Sequence, residues 1–187
     1  MMGAYDIQSM FYKIYKKQIS INTFEEWVYD NPSIEDIIGK EVYLDIVSIN
    51  FNDRHVFHEL EKLLCRHINF GEMEFERIRG LLESIITGQS DIYDLMETIY
   101  DDYCRGYTFL RFLGLSFITS GLVEEIGVPG VRENLLKRIP KYKTEAHRLL
   151  ELFKDNKIKI VDEYMYSDYR KPDDRIEILD VEKMFEG

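Results

Sequence analysis

The densest group of potential metal ligands lies in the segment DRHVFHELEKLLCRH. On a helix, His55, His58 and Glu59 share one face, because residues three and four positions apart lie side by side. Cys65 and His67 lie two turns further along and reach these ligands only if the helix breaks. The histidines are not four residues apart, as in a zinc metalloprotease helix, and Glu59 does not follow the first of them. We therefore predict no metal site, and a metal-dependent helical hydrolase that uses His55 and His58 is an alternative function.

Other catalytic groupings lack the partners that their chemistry requires. Adjacent carboxylates on a helix point about 100° apart and form no catalytic dyad by themselves. Four such pairs occur: Glu25 with Glu26, Asp101 with Asp102, Glu124 with Glu125, and Asp173 with Asp174. The glycine-containing segment EEIGVPGV lacks the Lys and Ser/Thr of a phosphate-binding loop. The chain is thus expected to be no enzyme and to need no cofactor.

The two cysteines, Cys65 and Cys104, are too few for a disulfide framework or a cysteine-based structural zinc site, and neither lies in a nucleophile motif. They indicate reduced thiols. The N-terminal segment MMGAYDIQSMFYKIYKK has no apolar run typical of an export signal, and no stretch is apolar enough to span a bilayer. These features predict a cytoplasmic protein.

Charge is the strongest signal in the composition. The 35 acidic and 24 basic residues give a formal charge of −11, which repels nucleic acid and attracts a basic partner, although acidity also serves solubility. Between Leu81 and Gly130 the basic residues are only Arg105 and Arg111, against eight acids: Glu83, Asp91, Asp94, Glu97, Asp101, Asp102, Glu124 and Glu125. From Val131 to Ile160, nine basic residues face four acids, which we interpret as an internal charge complement or a solvated helix face.

The acidic segment contains a predicted helix from Asp91 to Cys104. Its buried face would comprise Ile92, Leu95, Met96, Ile99 and Tyr103. The predicted partner-binding face comprises Tyr93, Asp94, Glu97, Tyr100 and Asp101. Tyrosines supply contact area at low entropic cost, and carboxylates steer a basic partner. The alternative is that Tyr93 and Tyr100 pack against a neighbouring helix while the acids are merely solvated.

Apolar residues at helical spacing also predict helices over most of the N-terminal half. The first runs from Asp6 to Lys17, and Asn22 or Thr23 caps the second. A third begins at Pro32 and divides at Gly39; Val42 to Ile49 fits a helix better than a strand. Asp53 caps the next helix. A longer helix spans Glu72 to Thr87 and ends at GQSD, where Ser90 or Asp91 caps its successor.

Glycines after Gly106 predict short helices and tight turns. Two helices follow, Arg132 to Ile139 and Lys141 to Phe153, separated by Pro140. Alternation at Ile158, Ile160 and Asp162, and again at Ile176 and Ile178, predicts a two-stranded hairpin with its loop at Lys171 to Asp174; an extended tail is the alternative. We therefore expect a mainly α fold, a single-domain helical bundle over residues 1–187 with a possible small C-terminal β-hairpin.

Three segments together carry a resemblance to a family. They are FEEWVYDNPSIEDIIGKEVYLDIVSINFNDRHVFHELEKLL, the short ERIRGLL helix and KIKIVDEYMYSDYR. They resemble small acidic helical immunity proteins of bacterial polymorphic toxin and contact-dependent inhibition systems. The resemblance implies a non-enzymatic inhibitor that binds and neutralises a cognate toxin domain, and it carries no motif that fixes binding residues.

The expected partner is therefore a protein, possibly a basic toxin domain, and neither nucleic acid nor membrane. Besides the helical hydrolase, a regulatory or scaffold protein that self-associates through Met and Tyr surfaces is an alternative. The sequence leaves the oligomeric state open.

Overall fold

The computed structural model describes residues 3–88, 90–121, 131–178 and 181. Within these residues, nine α-helices precede a two-stranded antiparallel sheet, so the predicted mainly α fold with a small C-terminal hairpin is confirmed. The helices are α1 (Ala4–Tyr15), α2 (Ile21–Asp30), α3 (Ile34–Ile38), α4 (Lys40–Val47), α5 (Val56–Leu64), α6 (Phe70–Thr87), α7 (Ile92–Arg105), α8 (Arg111–Gly121) and α9 (Val131–Lys154). The strands are β1 (Ile158–Asp162) and β2 (Met165–Asp168), and single 3₁₀ turns occupy Thr108–Leu110 and Pro172–Asp174.

The chain divides into two compact units, Met1–Met73 and Glu74–Gly187. The boundary falls inside α6, and each unit has an apolar core of its own. That the whole chain folds as one domain stays a prediction.

The first unit buries the apolar stripes of its helices. In α1, Ile7, Phe11 and Ile14 follow helical spacing and are all buried. Gly39, at φ 87°, separates α3 from α4, which confirms the predicted division. The predicted helical state of Val42 to Ile49 is confirmed as far as Val47, where α4 ends.

Two predicted caps in this unit are wrong. The second helix is capped by Ser20, whose Oγ accepts from the Thr23 N–H at 3.1 Å, because Asn22 and Thr23 already lie in its first turn. The N-cap residue of α5 is His55. Asp53 lies two residues before it, and its carboxylate accepts the His55 N–H at 2.7 Å instead of an N–H of the helix.

The second unit is built from the rest of α6, from α7 to α9 and from the hairpin. Gly88, at φ 70°, follows the end of α6, and Asp91 caps α7 by accepting the Tyr93 N–H at 2.8 Å. Both agree with the prediction that one helix ends at this segment and that the next begins directly after it. The core lies among these helices and includes Ile78, Leu82, Met96, Ile99, Tyr107, Phe112, Leu113, Tyr142, Ala146 and Leu149.

The prediction of two helices separated by Pro140 is wrong, because α9 continues through the proline. A proline inside a helix removes one backbone hydrogen bond. Pro140 is exposed, so water can satisfy the carbonyl that loses its donor. Tyr142, Ala146 and Leu149, which follow within the next three turns, are fully buried and hold the helix in place.

The hairpin is present, but its predicted second strand and loop are wrong. The chain turns at Glu163 and Tyr164, and β2 begins at Met165. The Asp162 carboxylate accepts the Glu163 N–H at 2.7 Å, and Tyr164 adopts a left-handed conformation at φ 56°, which together close a tight turn. The predicted loop region instead contains the 3₁₀ turn Pro172–Asp174.

Candidate partner-binding surface

The five residues predicted to bind a partner all lie on α7, but they divide into two groups. Asp94, Glu97 and Asp101 are exposed. Tyr93 and Tyr100 are half-buried, and their rings lie 5.2 Å and 6.1 Å from the ring of Phe117 on α8. The two tyrosines thus pack against the neighbouring helix, as the alternative interpretation expected, and only part of each ring remains for another contact.

The opposite side of α7 anchors the helix. Leu95, Met96 and Ile99 are buried in the core, as the spacing predicted, while Ile92 and Tyr103 are half-buried at its margin. This packing fixes which side of α7 faces solvent.

Three carboxylates form a stripe along that solvent side, which we call the α7 acidic stripe: Asp94, Glu97 and Asp101. They are three and four residues apart, so neighbouring side chains lie on one helix face. Within the part of the chain that the structure describes, none of the three carboxylates forms an ion pair or a hydrogen bond. The stripe is therefore unneutralised negative charge.

The nearest basic residue along the helix is directed elsewhere. Arg105, four residues after Asp101, donates from Nη1 to the Tyr164 hydroxyl at 2.9 Å, and its guanidinium lies 5.6 Å from that ring. The hydrogen bond to Tyr164 is the main reason that the pKa of Arg105 is raised, and the charge of Asp101 contributes less. Asp101 consequently keeps its carboxylate free for another cation.

Most other acids of the predicted acidic segment interact with groups of this chain. Glu83 lies 3.9 Å from Arg79, Asp91 caps α7 and Asp102 is buried against Arg77. Glu124 and Glu125 lie outside the described residues. Among the described acids of this segment, the α7 acidic stripe therefore contains those whose carboxylates have no partner within the chain.

A buried ionic cluster lies behind the stripe and ties α7 to α6. Arg77 donates to both Asp102 oxygens, at 2.7 Å and 2.9 Å, and also to Glu74 Oε2, at 2.6 Å and 3.1 Å. Glu74 and Asp102 are 0% and 3% exposed. Two carboxylates therefore share one guanidinium in a nearly water-free position.

Tyr107 extends this cluster to the hairpin. Its hydroxyl donates to Glu74 Oε2 at 3.1 Å and accepts the Tyr164 N–H at 3.0 Å. The backbone approaches closely at the same place: a Cβ on Gly106 would lie 2.6 Å from the Tyr164 carbonyl oxygen. Glycine, at φ 142°, is what allows the turn after α7 to meet the hairpin.

The pKa values in the cluster follow from its burial and from the charges that its members place on one another. Burial raises the pKa of Asp102, the negative charge of Glu74 raises it further, and the hydrogen bonds and charge of Arg77 do not fully oppose them. Burial lowers the pKa of Arg77, but Asp102 and Glu74 raise it by more, so the guanidinium stays charged. Burial and the neighbouring Glu74 both raise the pKa of Tyr107, which keeps its proton.

The sequence interpretation missed this cluster. Ile99 follows Leu95 by four residues and Asp102 follows Ile99 by three, so the pattern places Asp102 on the buried face. The i,i+3 pairing of Glu74 with Arg77 was readable as well. What the pattern does not contain is the pairing of Arg77 with Asp102, which depends on how α6 packs against α7.

The potential metal ligands of the first unit do not converge. His55 Nε2 accepts a hydrogen bond from Arg54 Nε at 2.8 Å, and the Cys65 thiol donates to the Lys62 carbonyl at 3.4 Å. Among the described residues, no group of three or more His, Cys, Asp or Glu side chains is placed to hold a metal ion.

The basic segment after Val131 shows both roles that its charge suggested. Arg148 forms a two-pronged pair with the buried Glu145, at 2.7 Å in each contact, which is an internal charge complement. Lys154 pairs with Glu151 at 3.3 Å, where both side chains are largely exposed.

Comparison with known proteins identified no relative: no protein-family model, curated protein or solved structure matches this chain. None of the helices described is long and apolar enough to cross a membrane.

Proposed function

We propose that this chain is a non-enzymatic, cytoplasmic protein inhibitor that binds a basic surface of a cognate bacterial toxin domain through the α7 acidic stripe. The observation that carries the proposal is the exposure of Asp94, Glu97 and Asp101 on one helix face without an internal ion pair.

The like charges of the α7 acidic stripe repel one another and so destabilise the free protein. Like charges three and four residues apart destabilise a helix by about 0.2–0.5 kcal/mol per pair. Opposite charges on a partner remove this repulsion, and they also speed encounter and fix the orientation of docking. The partly exposed edges of Tyr93 and Tyr100 add aromatic contact area beside the charges.

The class of partner follows from the same chemistry. A toxin nuclease is basic where it holds nucleic acid, so an acidic inhibitor competes with phosphates for one surface. The resemblance to immunity proteins supports this class of partner. The buried cluster behind the stripe gives the inhibitor a rigid face, because Arg77 and Tyr107 fix α7 relative to α6 and the hairpin.

The test is co-expression with the product of each neighbouring gene, followed by co-purification and measurement of Kd for any complex that forms. We expect a complex that protects cells from the toxin and weakens as salt increases. The double substitution Glu97→Lys with Asp101→Lys should weaken binding by about tenfold or more, since each rim charge pair contributes up to about 1 kcal/mol and reversal adds repulsion.

A matched control exists on α2. Glu26 and Asp30 are also exposed and four residues apart, so Glu26→Lys with Asp30→Lys changes the net charge equally at another place. Equal weakening by both double variants would mean that only net charge matters. A complex that neither variant weakens would show that the α7 acidic stripe is not the binding surface.

Self-association is a second candidate function. Met165 and Tyr169 on and beside β2 are 60% and 62% exposed, and large exposed apolar side chains are typical of interfaces. Solution mass measured over a concentration series tests it: Met165→Lys should lower the mass of an oligomer to that of a monomer. A monomeric wild-type protein at all concentrations would exclude this candidate.

A further inference from the structure

A polar cavity of about 390 Å³ opens in the second unit. Its walls come from the 3₁₀ turn Thr108–Leu110, from the first residue of α8, from β2 and from the segment after β2. The lining includes Arg111, Tyr166, Asp168, Arg170, Arg175 and Glu177. A volume of a few hundred cubic ångströms is the size that proteins use for small ligands.

The charge of this lining is opposite to that of the chain. Three arginines face two carboxylates, whereas the whole chain has a formal charge of −11. The cavity thus has more guanidinium groups than carboxylates, although the protein as a whole is acidic. Guanidinium groups present planar, directed N–H donors that match carboxylate and phosphate oxygens.

One carboxylate is a fixed part of the wall. Asp168 accepts from Arg170 Nε and Nη2, both at 2.9 Å, and lies 3.3 Å from Arg175 Nε. The Arg170 side chain is only 5% exposed. Hydrogen bonds from Arg170 lower the pKa of Asp168, so this carboxylate stays charged and holds both arginines in place.

The second carboxylate is attached differently. Glu177 Oε2 lies 2.6 Å from Arg111 Nη1, but the Glu177 side chain is 65% exposed while that of Arg111 is 21% exposed. Arg111 Nη1 also donates to the Ile176 carbonyl at 2.9 Å. Its Nε is buried without a hydrogen-bond partner among the described residues. A buried guanidinium donor without an acceptor is costly, and each such atom calls for an explanation.

We infer that this cavity is a binding site for the oxyanion group of a small ligand, and that the Glu177 carboxylate occupies the oxyanion position at Arg111 when no ligand is bound. An oxyanion with several oxygens accepts from the Arg111 donors together, which one Glu177 oxygen does not. The Thr108 and Tyr166 hydroxyls, 2.7 Å apart, supply further polar groups beside Arg111.

Binding of citrate and of inorganic phosphate to the full chain, each measured by calorimetry at constant ionic strength, tests the inference. Citrate binding identifies a carboxylate ligand, and phosphate binding identifies a phosphorylated one. Glu177→Gln should bind the same anion about tenfold more tightly, because it removes a resident charge that competes for Arg111.

Arg111→Met should abolish binding, whereas Arg79→Met, an equal change at an exposed arginine on α6, should leave it unchanged. If Arg111→Met does not fold, Glu177→Gln still decides, because its side chain is mostly exposed. Equal affinity in wild type and Glu177→Gln would overturn the inference, as would failure of both proteins to bind either anion at millimolar concentration. No toxin partner is needed, so the result is independent of the proposed function.

Discussion

Arg77 on α6 and Asp102 on α7 lie 25 residues apart in the chain and form a two-pronged ion pair, with N–O distances of 2.7 Å and 2.9 Å. Glu74 shares the same guanidinium from the other side. The arrangement places two nearly buried carboxylates around one arginine, so both of these ion pairs depend on that arginine.

Loss of Arg77 is therefore expected to be severe. Arg77→Met leaves Asp102 buried without the guanidinium that pairs with it and removes one partner of Glu74, and breaking a buried pair in this way costs about 3–5 kcal/mol of unfolding free energy. Urea denaturation measures it. Arg79→Met, on the same helix but with an exposed side chain, should change stability by less than about 1 kcal/mol. Similar losses in the two variants would contradict this account.

The contribution of Asp102 to the stability of the protein should depend on pH. Its pKa in the folded protein is raised, above about 3.9 in the unfolded chain, so its contribution to stability is present below pH 4 and is lost as the pH rises through the folded pKa. Asp102→Asn cannot titrate. The stability of wild type relative to Asp102→Asn should thus fall as the pH rises above about 4 in parallel denaturation curves. A difference that grows in favour of wild type with rising pH would mean that Arg77 lowers the pKa of Asp102 instead.

Periodicity predicted much of this molecule for a clear physical reason. Burial of a stripe such as Ile7, Phe11 and Ile14 decides helix position in each element separately, and Gly39 and Gly88 end helices through local backbone geometry. Each signal is contained in a few neighbouring residues.

The predictions that were wrong depend on contacts between distant segments. The second strand was assigned to Ile176 and Ile178, yet the Tyr166 ring packs 4.9 Å from that of Phe109 and fixes β2 earlier in the chain. The buried cluster and the arginine cavity have the same origin, since Arg77 meets Asp102, and Arg111 meets Glu177, only after folding.

A substitution at Gly106 tests how closely the hairpin approaches the end of α7. A Cβ there would lie 2.6 Å from the Tyr164 carbonyl oxygen, at a φ of 142° that side chains disfavour. Gly106→Ala should lower the unfolding free energy by about 1–3 kcal/mol, the scale of a strained backbone position. Gly80→Ala on α6 has open space around its Cβ and should raise stability by about 0.5–1 kcal/mol. Thermal unfolding distinguishes the two, and a stabilising Gly106→Ala would refute the close approach.

Pro140 offers a second backbone test. An interior proline costs a helix about 3 kcal/mol, and its rigidity in the unfolded chain returns up to about 1 kcal/mol. Pro140→Ala should therefore stabilise the protein by about 2 kcal/mol in chemical denaturation. An unchanged midpoint would show that α9 does not pass through residue 140 in solution.

The negative charges of the α7 acidic stripe should lower the stability of the free protein and raise its affinity for a basic partner. Glu97→Lys places a cation three residues after Asp94 and four before Asp101, so two repulsive pairs become attractive. Each i,i+3 or i,i+4 pair contributes about 0.2–0.5 kcal/mol. The free variant should therefore be more stable than wild type, while its affinity for a basic partner falls.

Glu97→Gln separates the two effects, because it removes repulsion without creating a pair. We expect its stability to lie between those of wild type and Glu97→Lys, and its affinity likewise. Denaturation and partner titration of the same three proteins measure both quantities. If stability fell from wild type through Gln to Lys, the stripe would hold an internal cation, and its charge would serve the fold instead of a partner.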